Sequence, residues 1–334
     1  MINIAVVGYG YWGPNLVRNF MSQDASNVLI VCDQNVDRLK HAKRLYPSLE
    51  TTSEMHDVLN NPAIDAVVIA TPVHTHYALA LSALEAGKHV LVEKPITSNA
   101  DQARELIDEA DRRNLVLMVD HTFIYTGAVR KMHELVRQPE FGKIHYYDST
   151  RINLGLFQHD VNVLWDLAVH DLSIMSYILG ATPRAVSATG QARVPGEPEY
   201  AAFLTVYFDD VIAHINVNWL SPVKVRRTLV GGSQKMIVYD DLEASEKVKL
   251  YDKGITISEN DEDIRKVLVS YRSGDMWSPK LDGIEALARE AQHFVDCIEG
   301  SEKPVTSGEQ GLELVRILEA ADQSLLKRGA PIEL

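Results

Sequence analysis

The stretch from Asn3 to Asp33 constrains this chain more than any other. Asn3 to Val7 is β-branched and apolar. It runs into Gly8-Tyr9-Gly10-Tyr11-Trp12-Gly13, then a helix opening at Pro14, then a second apolar strand ending at Asp33. Glycine fills all three fixed positions of G-x-G-x-x-G. The first allows a tight turn, the second lets backbone approach a pyrophosphate, and the third lets helix and strand pack closely. Pro14 is pre-set for a first helical turn, and the N–H groups opening that helix attract phosphate. Asp33 falls 20 residues past Gly13. An acid there accepts both ribose hydroxyls of NAD and repels a 2′-phosphate. A glycine motif alone would be satisfied by any tight strand–helix turn; strand, loop, helix and acid together predict a dinucleotide site. Tyr11 and Trp12 are expected beside the cofactor, and Arg38 is the residue that competes with Asp33 over the choice of NAD or NADP.

The chain has 334 residues, 46% hydrophobic and 24% charged, which suggests two domains around a sizeable core. The net charge of −13 offers no basic face to a phosphate backbone, so nucleic acid is not an expected partner. The two cysteines, Cys32 and Cys297, stand far apart, which argues against a disulfide or cysteine–zinc framework and for a reducing compartment. No two histidines sit beside a third ligand at zinc spacing, so no metal is expected. The first strand begins at residue 2 or 3, and no apolar run is long enough to span a membrane. A cytoplasmic, soluble protein is the expectation.

Residues 1–121 alternate strand and helix. Asn27–Cys32, Ile64–Thr71, His89–Val92 and Leu115–Val119 read as buried strands; Val36–Tyr46, His76–Ala86 and Asn99–Arg113 read as helices. This pattern predicts an α/β fold with a doubly wound parallel sheet, a Rossmann domain whose ligand lies beyond the strand ends at Gly8, Asp33, Thr71 and Glu93-Lys94. From residue 122 the pattern changes. Helices over Gly127–Arg137 and Val161–Leu179 flank a strand at Ile144–Asn153. Six further strands follow between Ala185 and Tyr251, and Ile284–Glu299 and Gly308–Arg328 close the chain as helices. Residues 122–334 are therefore expected to form an α+β domain with a large open, mostly antiparallel sheet. A face carrying Val217, Trp219 and Val225 would need a cover, which a second subunit supplies.

Lys94, in Glu93-Lys94-Pro95, follows a strand of the first domain, where a nicotinamide ring should lie. It could stabilise an alkoxide as hydride leaves, or be a surface lysine paired with Glu93. Asp166 and His170 lie four apart on one helix face with Ser173 and Tyr177. They read either as an acid orienting a general base or as an ordinary solvated pair, with Asp171 as a rival partner for the imidazole. His74 and His76 follow Thr71-Pro72 and either line the cofactor cleft or cap a helix.

These motifs taken together resemble the Gfo/Idh/MocA oxidoreductases. The resemblance rests on the glycine loop, on Thr71-Pro72 with His76, on Ala86-Gly87-Lys88-His89-Val90 leading into Glu93-Lys94-Pro95, and on Asp166-x-x-x-His170. It implies that Lys94, Asp166 and His170 form a catalytic group, that NAD is the cofactor, and that the second domain builds homodimers or homotetramers. It also implies cofactor contacts at Thr71, Pro72, His74, His76, Glu93, Lys94 and Trp165. Three departures from the common pattern bear on the substrate: Asp160-Val161-Asn162-Val163-Leu164-Trp165 replaces a glycine triplet, Ser173 replaces an acid, and Phe123-Ile124-Tyr125 replaces an arginine. The segment Arg151–Gln158 with Trp165 resembles the branch of nucleotide-sugar 3-dehydrogenases. That implies a UDP-linked acetamido sugar held by Tyr125, Arg151, Asn153, Gln158 and Asn162 together with Lys94, Asp166 and His170. Other outcomes stay open: a dehydrogenase of the corresponding UDP-linked uronic acid or of another sugar or inositol, a glycoside hydrolase that holds NAD permanently and cleaves through a transient oxidation, and a non-catalytic NAD sensor.

Overall fold

The computed structural model describes residues 1–155, 161–194, 197–252, 255–256, 270–271 and 274–334. The chain forms two compact units: Met1–Thr126 with Ile284–Arg316, and Gly127–Gly283 with Ile317–Leu334.

In the first unit, six parallel strands run β1 (Ile2–Val7), β2 (Ser26–Cys32), β3 (Glu50–Thr52), β4 (Ala66–Ile69), β5 (His89–Glu93) and β6 (Leu117–Asp120). Their spatial order is β3-β2-β1-β4-β5-β6. The order reverses between β1 and β4, where a crevice opens beyond the strand ends. Continuous apolar runs make the strands because both sheet faces are covered; β4 and β6 are buried throughout. The connecting helices are α1 (Gly13–Met21), α2 (Val36–Leu45), α3 (Met55–Leu59), α4 (Val73–Glu85) and α5 (Ala100–Arg113). Asn35 and Asn99 cap α2 and α5 through their side chains. The short β3 and α3 lacked the apolar period that reveals an element in sequence.

The chain then returns to this unit. Residues 284–316 were expected in the second domain. Instead α8 (Ala286–Ile298) turns Leu287, Ala291, Phe294 and Val295 inward, and Phe294 meets Phe20 of α1 edge-on at 6.2 Å. Bidentate Arg18–Glu285 bonds at 2.6 and 2.9 Å support the entry to α8.

The second unit begins with α6 (Gly127–Val136) and is built on a nine-stranded mixed sheet. Its strands are β7 (Ile144–Leu154), β8 (Ala185–Ala192), β9 (Glu199–Tyr207), β10 (Ile212–Asn218), β11 (Leu220–Gly232), β12 (Met236–Asp240) and β13 (Val248–Tyr251). Another small pair is β14 (Ile255–Thr256) with β15 (Ser270–Tyr271), and β16 (Met276–Trp277) and β17 (Ile332–Glu333) complete the set. The order is β16-β13-β12-β11-β7-β10-β9-β8-β17. Pairing is antiparallel except between β7 and β10, so the sheet is mostly, not wholly, antiparallel. Helix α7 (Val169–Leu179) packs on one face, and α9 (Gly308–Leu326) passes from the first unit's residues into this unit's. Val217 and Trp219, expected on an uncovered face, are 0% and 1% exposed, because they lie under the unit's own helical layer. The uncovered face instead carries Phe203 and Ile212, with His214 bonded to Asp148 at 3.0 Å.

Candidate active site

The glycine loop and the cleft beside it lie wholly in the first unit. At the end of β1, Gly8 has φ +95°, and a Cβ there would stand 2.5 Å from the Ala70 carbonyl oxygen. A Cβ on Gly13 would overlap the Gly8 carbonyl oxygen and stand 3.0 Å from its carbon. Helix α1 is thus pressed against β1, as the third glycine of the motif requires. A Cβ on Gly10 would meet nothing closer than the Arg38 guanidinium at 3.7 Å, so the loop is open where a phosphate approaches.

Asp33, 8% exposed, is locked in place. Its Oδ2 accepts the Tyr9 N–H at 2.6 Å, its Oδ1 accepts the Asn35 N–H at 2.7 Å, and Arg38 Nη1 stands 3.4 Å from Oδ2. Each carboxylate oxygen keeps acceptor capacity for a ribose hydroxyl.

These groups line a cleft of about 850 Å³ at the carboxyl edge of the sheet. Of the residues expected at the cofactor, Gly8, Gly10, Tyr11, Trp12, Asp33, Arg38, Thr71, Pro72, His74, Glu93 and Lys94 line it. Asp33 follows β2 and Lys94 follows β5, three strand positions apart in the sheet. At ~4.8 Å per step that is about 14 Å, the order of separation between an adenosine ribose and a nicotinamide ring. Asp33 and Lys94 thus stand at two ends of one cleft whose span fits a dinucleotide such as NAD.

Gly13 and His76 serve the cleft from behind. His76, 1% exposed, places Nδ1 2.8 Å from the Pro95 carbonyl and Nε2 2.8 Å from that of Thr71. Burial pulls its pKa below the ordinary histidine value, against the pull of the two carbonyls. The ring ties the end of β4 to the turn carrying Lys94, whose peptide bond to Pro95 is cis.

His121, just past β6, belongs to none of the sequence motifs and ends the run of alternating strands and helices. Its ring is buried and neither nitrogen hydrogen-bonds a described group. Burial and then the Lys94 ammonium push its pKa down to about 3, so the ring is neutral beside the lysine.

Asp166 and His170, the residues expected to handle the proton, lie in the second unit. The expected continuous helix over Val161–Leu179 is instead a π turn, Leu164–Ala168, leading into α7. Such turns recur at functional sites. Asn162 starts the segment: its Oδ1 accepts the Leu164 and Trp165 N–H groups at 3.1 and 3.4 Å, and its Nδ2 donates to Asp322 Oδ1 at 2.8 Å. The Trp165 indole donates to the other Asp322 oxygen at 2.8 Å. Asp166, in the π turn, accepts the Trp219 indole N–H at 2.9 Å. His170 is half-buried on the first turn of α7, and its carbonyl accepts the Ser173 hydroxyl at 2.8 Å.

Several residues expected at the substrate have structural duties. Arg151, 3% exposed, bonds Asp171 at 2.5 Å, so Asp171 is neither a solvated neighbour nor the partner of His170. Tyr125, 1% exposed, places its hydroxyl 3.2 Å from that of Thr306 in the first unit. Asn162 caps the π turn, and Trp165, expected at the cofactor, anchors it. Asn153 is half-buried on β7, while Gln158 lies outside the described residues.

Residues 2–121 match the family described as "Oxidoreductase family, NAD-binding Rossmann fold", and residues 129–238 match its "GFO/IDH/MocA C-terminal domain". The chain belongs to the Gfo/Idh/MocA oxidoreductases. UDP-N-acetylglucosamine 3-dehydrogenase of Acidithiobacillus ferrooxidans is 26% identical, over 88% of this chain and 91% of the relative. Myo-inositol 2-dehydrogenase of Thermotoga maritima is 24% identical, over 99% of each. Among solved structures, GenD2 from gentamicin A biosynthesis in complex with NAD superposes with a TM-score of 0.83 at 22% identity, covering 100% of this chain and 96% of that one. This Gfo/Idh/MocA chain is thus an NAD-binding oxidoreductase from a group of sugar and inositol dehydrogenases. No helix among its described residues is long and apolar enough to cross a membrane.

Proposed function

We propose that this protein oxidises a secondary hydroxyl of a sugar, at C3 of a UDP-linked N-acetylated sugar, with Lys94, His170 and Asp166 as the catalytic group. The observation that carries the reading is Lys94 lining the same cleft as Gly8 and Asp33, three strand positions from Asp33. NAD, when bound, supplies the hydride acceptor. Lys94 donates a hydrogen bond to the hydroxyl oxygen and stabilises the negative charge that grows there as the C–H bond breaks. His170 takes the hydroxyl proton. Asp166, steadied by the Trp219 indole, orients the imidazole. Support for the substrate class comes from the 26% identical UDP-N-acetylglucosamine 3-dehydrogenase, and Asn153 is the remaining described candidate for a sugar contact.

The test is a panel of UDP-sugars, free sugars and inositols mixed with NAD, read as absorbance of reduced nicotinamide. UDP-N-acetylglucosamine should give the fastest rise, with a 3-keto product by NMR. A rise with inositols alone would move the substrate to the polyols, and no rise with any secondary alcohol would reject the dehydrogenase reading. A second copy of the chain is proposed to cover the sheet face carrying Phe203 and Ile212, giving a dimer or tetramer; a monomeric mass by light scattering would count against it. The two buried, unbridged thiols suit a reducing cytoplasm.

A further inference from the structure

Beneath the glycine loop lies a carboxyl group that the proposed chemistry does not use. Glu290 of α8 is 0% exposed, and neither carboxyl oxygen has a hydrogen-bond donor among the described residues. It faces Asp120, at the end of β6 and itself 2% exposed. Asp120 is fully engaged on its other sides. Its Oδ2 accepts the Trp12 indole N–H at 2.6 Å, and its Oδ1 accepts the Thr122 hydroxyl. Thr122 has one hydroxyl proton, spent on Asp120, so it has none for Glu290. Glu93 of β5 adds a further negative charge, and Tyr125 faces the same pair from the turn after β6. No cluster of three His, Cys, Asp or Glu side chains among the described residues is arranged to hold a metal.

Two carboxylates facing each other away from water cannot both stay charged; one keeps a proton. The proton belongs on Glu290, the group with no donor of its own, because Asp120 already receives two. It then forms the O–H···O⁻ bond that neither group can make when both are ionised. Burial first, and then the charge of Asp120, hold the Glu290 carboxyl well above its ordinary value.

We propose that Glu290 is a positioning residue for the cofactor loop: a neutral acid that donates to Asp120 and so fixes the carboxylate that grips Trp12. Trp12 is the N-cap of α1 and lines the cofactor cleft. The start of α1 supplies the N–H groups that hold a pyrophosphate. A chain of bonds from Glu290 through Asp120 to Trp12 therefore sets where those groups point, from a residue that touches no cofactor. The proton also keeps the pair at one negative charge instead of two beneath an anionic ligand.

The test is NADH affinity by titration calorimetry at pH 7.5. Glu290→Gln keeps a neutral donor of the same shape and should bind NADH within about twofold of the parent. Glu290→Ala and Trp12→Phe each remove one link and should each weaken binding about tenfold, the size of one charge-assisted hydrogen bond. The double variant should be no weaker than either single one, since both cut the same chain. The proposal is overturned if Glu290→Ala binds as well as the parent, if Glu290→Gln is as weak as Glu290→Ala, or if the two single losses multiply. Should Glu290→Ala fail to fold, the melting temperatures of the parent and Glu290→Gln between pH 5 and 9 decide. The folded parent keeps a proton that the unfolded chain releases above about pH 4.5, so its stability falls as pH rises past that value. Glu290→Gln has no such proton. Its margin over the parent should widen with pH, and a constant margin overturns the assignment.

Discussion

Gly10→Ala and Gly13→Ala make the same chemical change three residues apart, and the structure assigns them opposite consequences. At Gly13 the new methyl would overlap the Gly8 carbonyl oxygen. That wall is backbone, so it cannot rotate away, and helix α1 must shift off β1. Forced overpacking of this kind costs roughly 1–3 kcal/mol, which for a unit of this size lowers Tm by roughly 2–4 °C per kcal/mol. At Gly10 the methyl meets only the exposed Arg38 guanidinium, at 3.7 Å, an ordinary contact. Gly10→Ala should therefore melt within about 1 °C of the parent, since surface changes of this kind stay near zero. It should still bind NADH at least about tenfold more weakly, some 1.4 kcal/mol, because the methyl stands where the pyrophosphate approaches. The assay is paired: thermal unfolding without ligand, and calorimetric titration with NADH. Unchanged NADH affinity in Gly10→Ala, or an unchanged melting temperature in Gly13→Ala, would refute the reading of this loop.

Asp33→Asn should narrow the preference for NAD over NADP by at least about tenfold, since the fixed carboxylate is what repels a 2′-phosphate; equal dissociation constants in the parent would remove the argument. His170→Ala should lower turnover on the order of a hundredfold while leaving NADH affinity within about threefold, because the proposed role of His170 is to accept the substrate proton and not to hold the cofactor. Trp219→Phe removes the indole donor to Asp166. It should lower kcat about tenfold with KM little changed, the loss of one charge-assisted hydrogen bond; an unchanged kcat would separate Asp166 from the chemistry. Burial, with neighbouring acids, pushes the Cys32 thiol up to about 11 and the Cys297 thiol up to about 12. Neither should react quickly with a thiol reagent at pH 7.5 until the protein unfolds, and a fast stoichiometric reaction would contradict the burial of both.

The first unit was readable because its instructions are local. The loop from Gly8 to Gly13 and the acid at Asp33 lie in one strand–helix–strand stretch, and each residue's task follows from its place there. The return of residues 284–316 was not readable, because an amphipathic helix shows which face it buries and not which surface it meets; Phe20 of α1 supplies that surface from far upstream. The same limit hid Asp120, Glu290 and Asp322, acids that gain meaning through partners more than 100 positions away. Arg151 and Tyr125 misled in the other direction. A charged or phenolic side chain near a candidate site suggests a ligand contact, yet each satisfies a buried partner of its own. The π turn under Asp166 was invisible as well, since one extra residue in a turn leaves the apolar period almost intact.

The central claim is that Lys94 acts on the substrate oxygen at the nicotinamide end of the cleft. The most direct measurement is the rate of NAD reduction by UDP-N-acetylglucosamine in the parent and in Lys94→Ala, with NADH affinity measured on the same samples. The account predicts turnover lower by on the order of a hundredfold or more in a variant that still binds NADH within about threefold. Near-parental turnover in Lys94→Ala would contradict it.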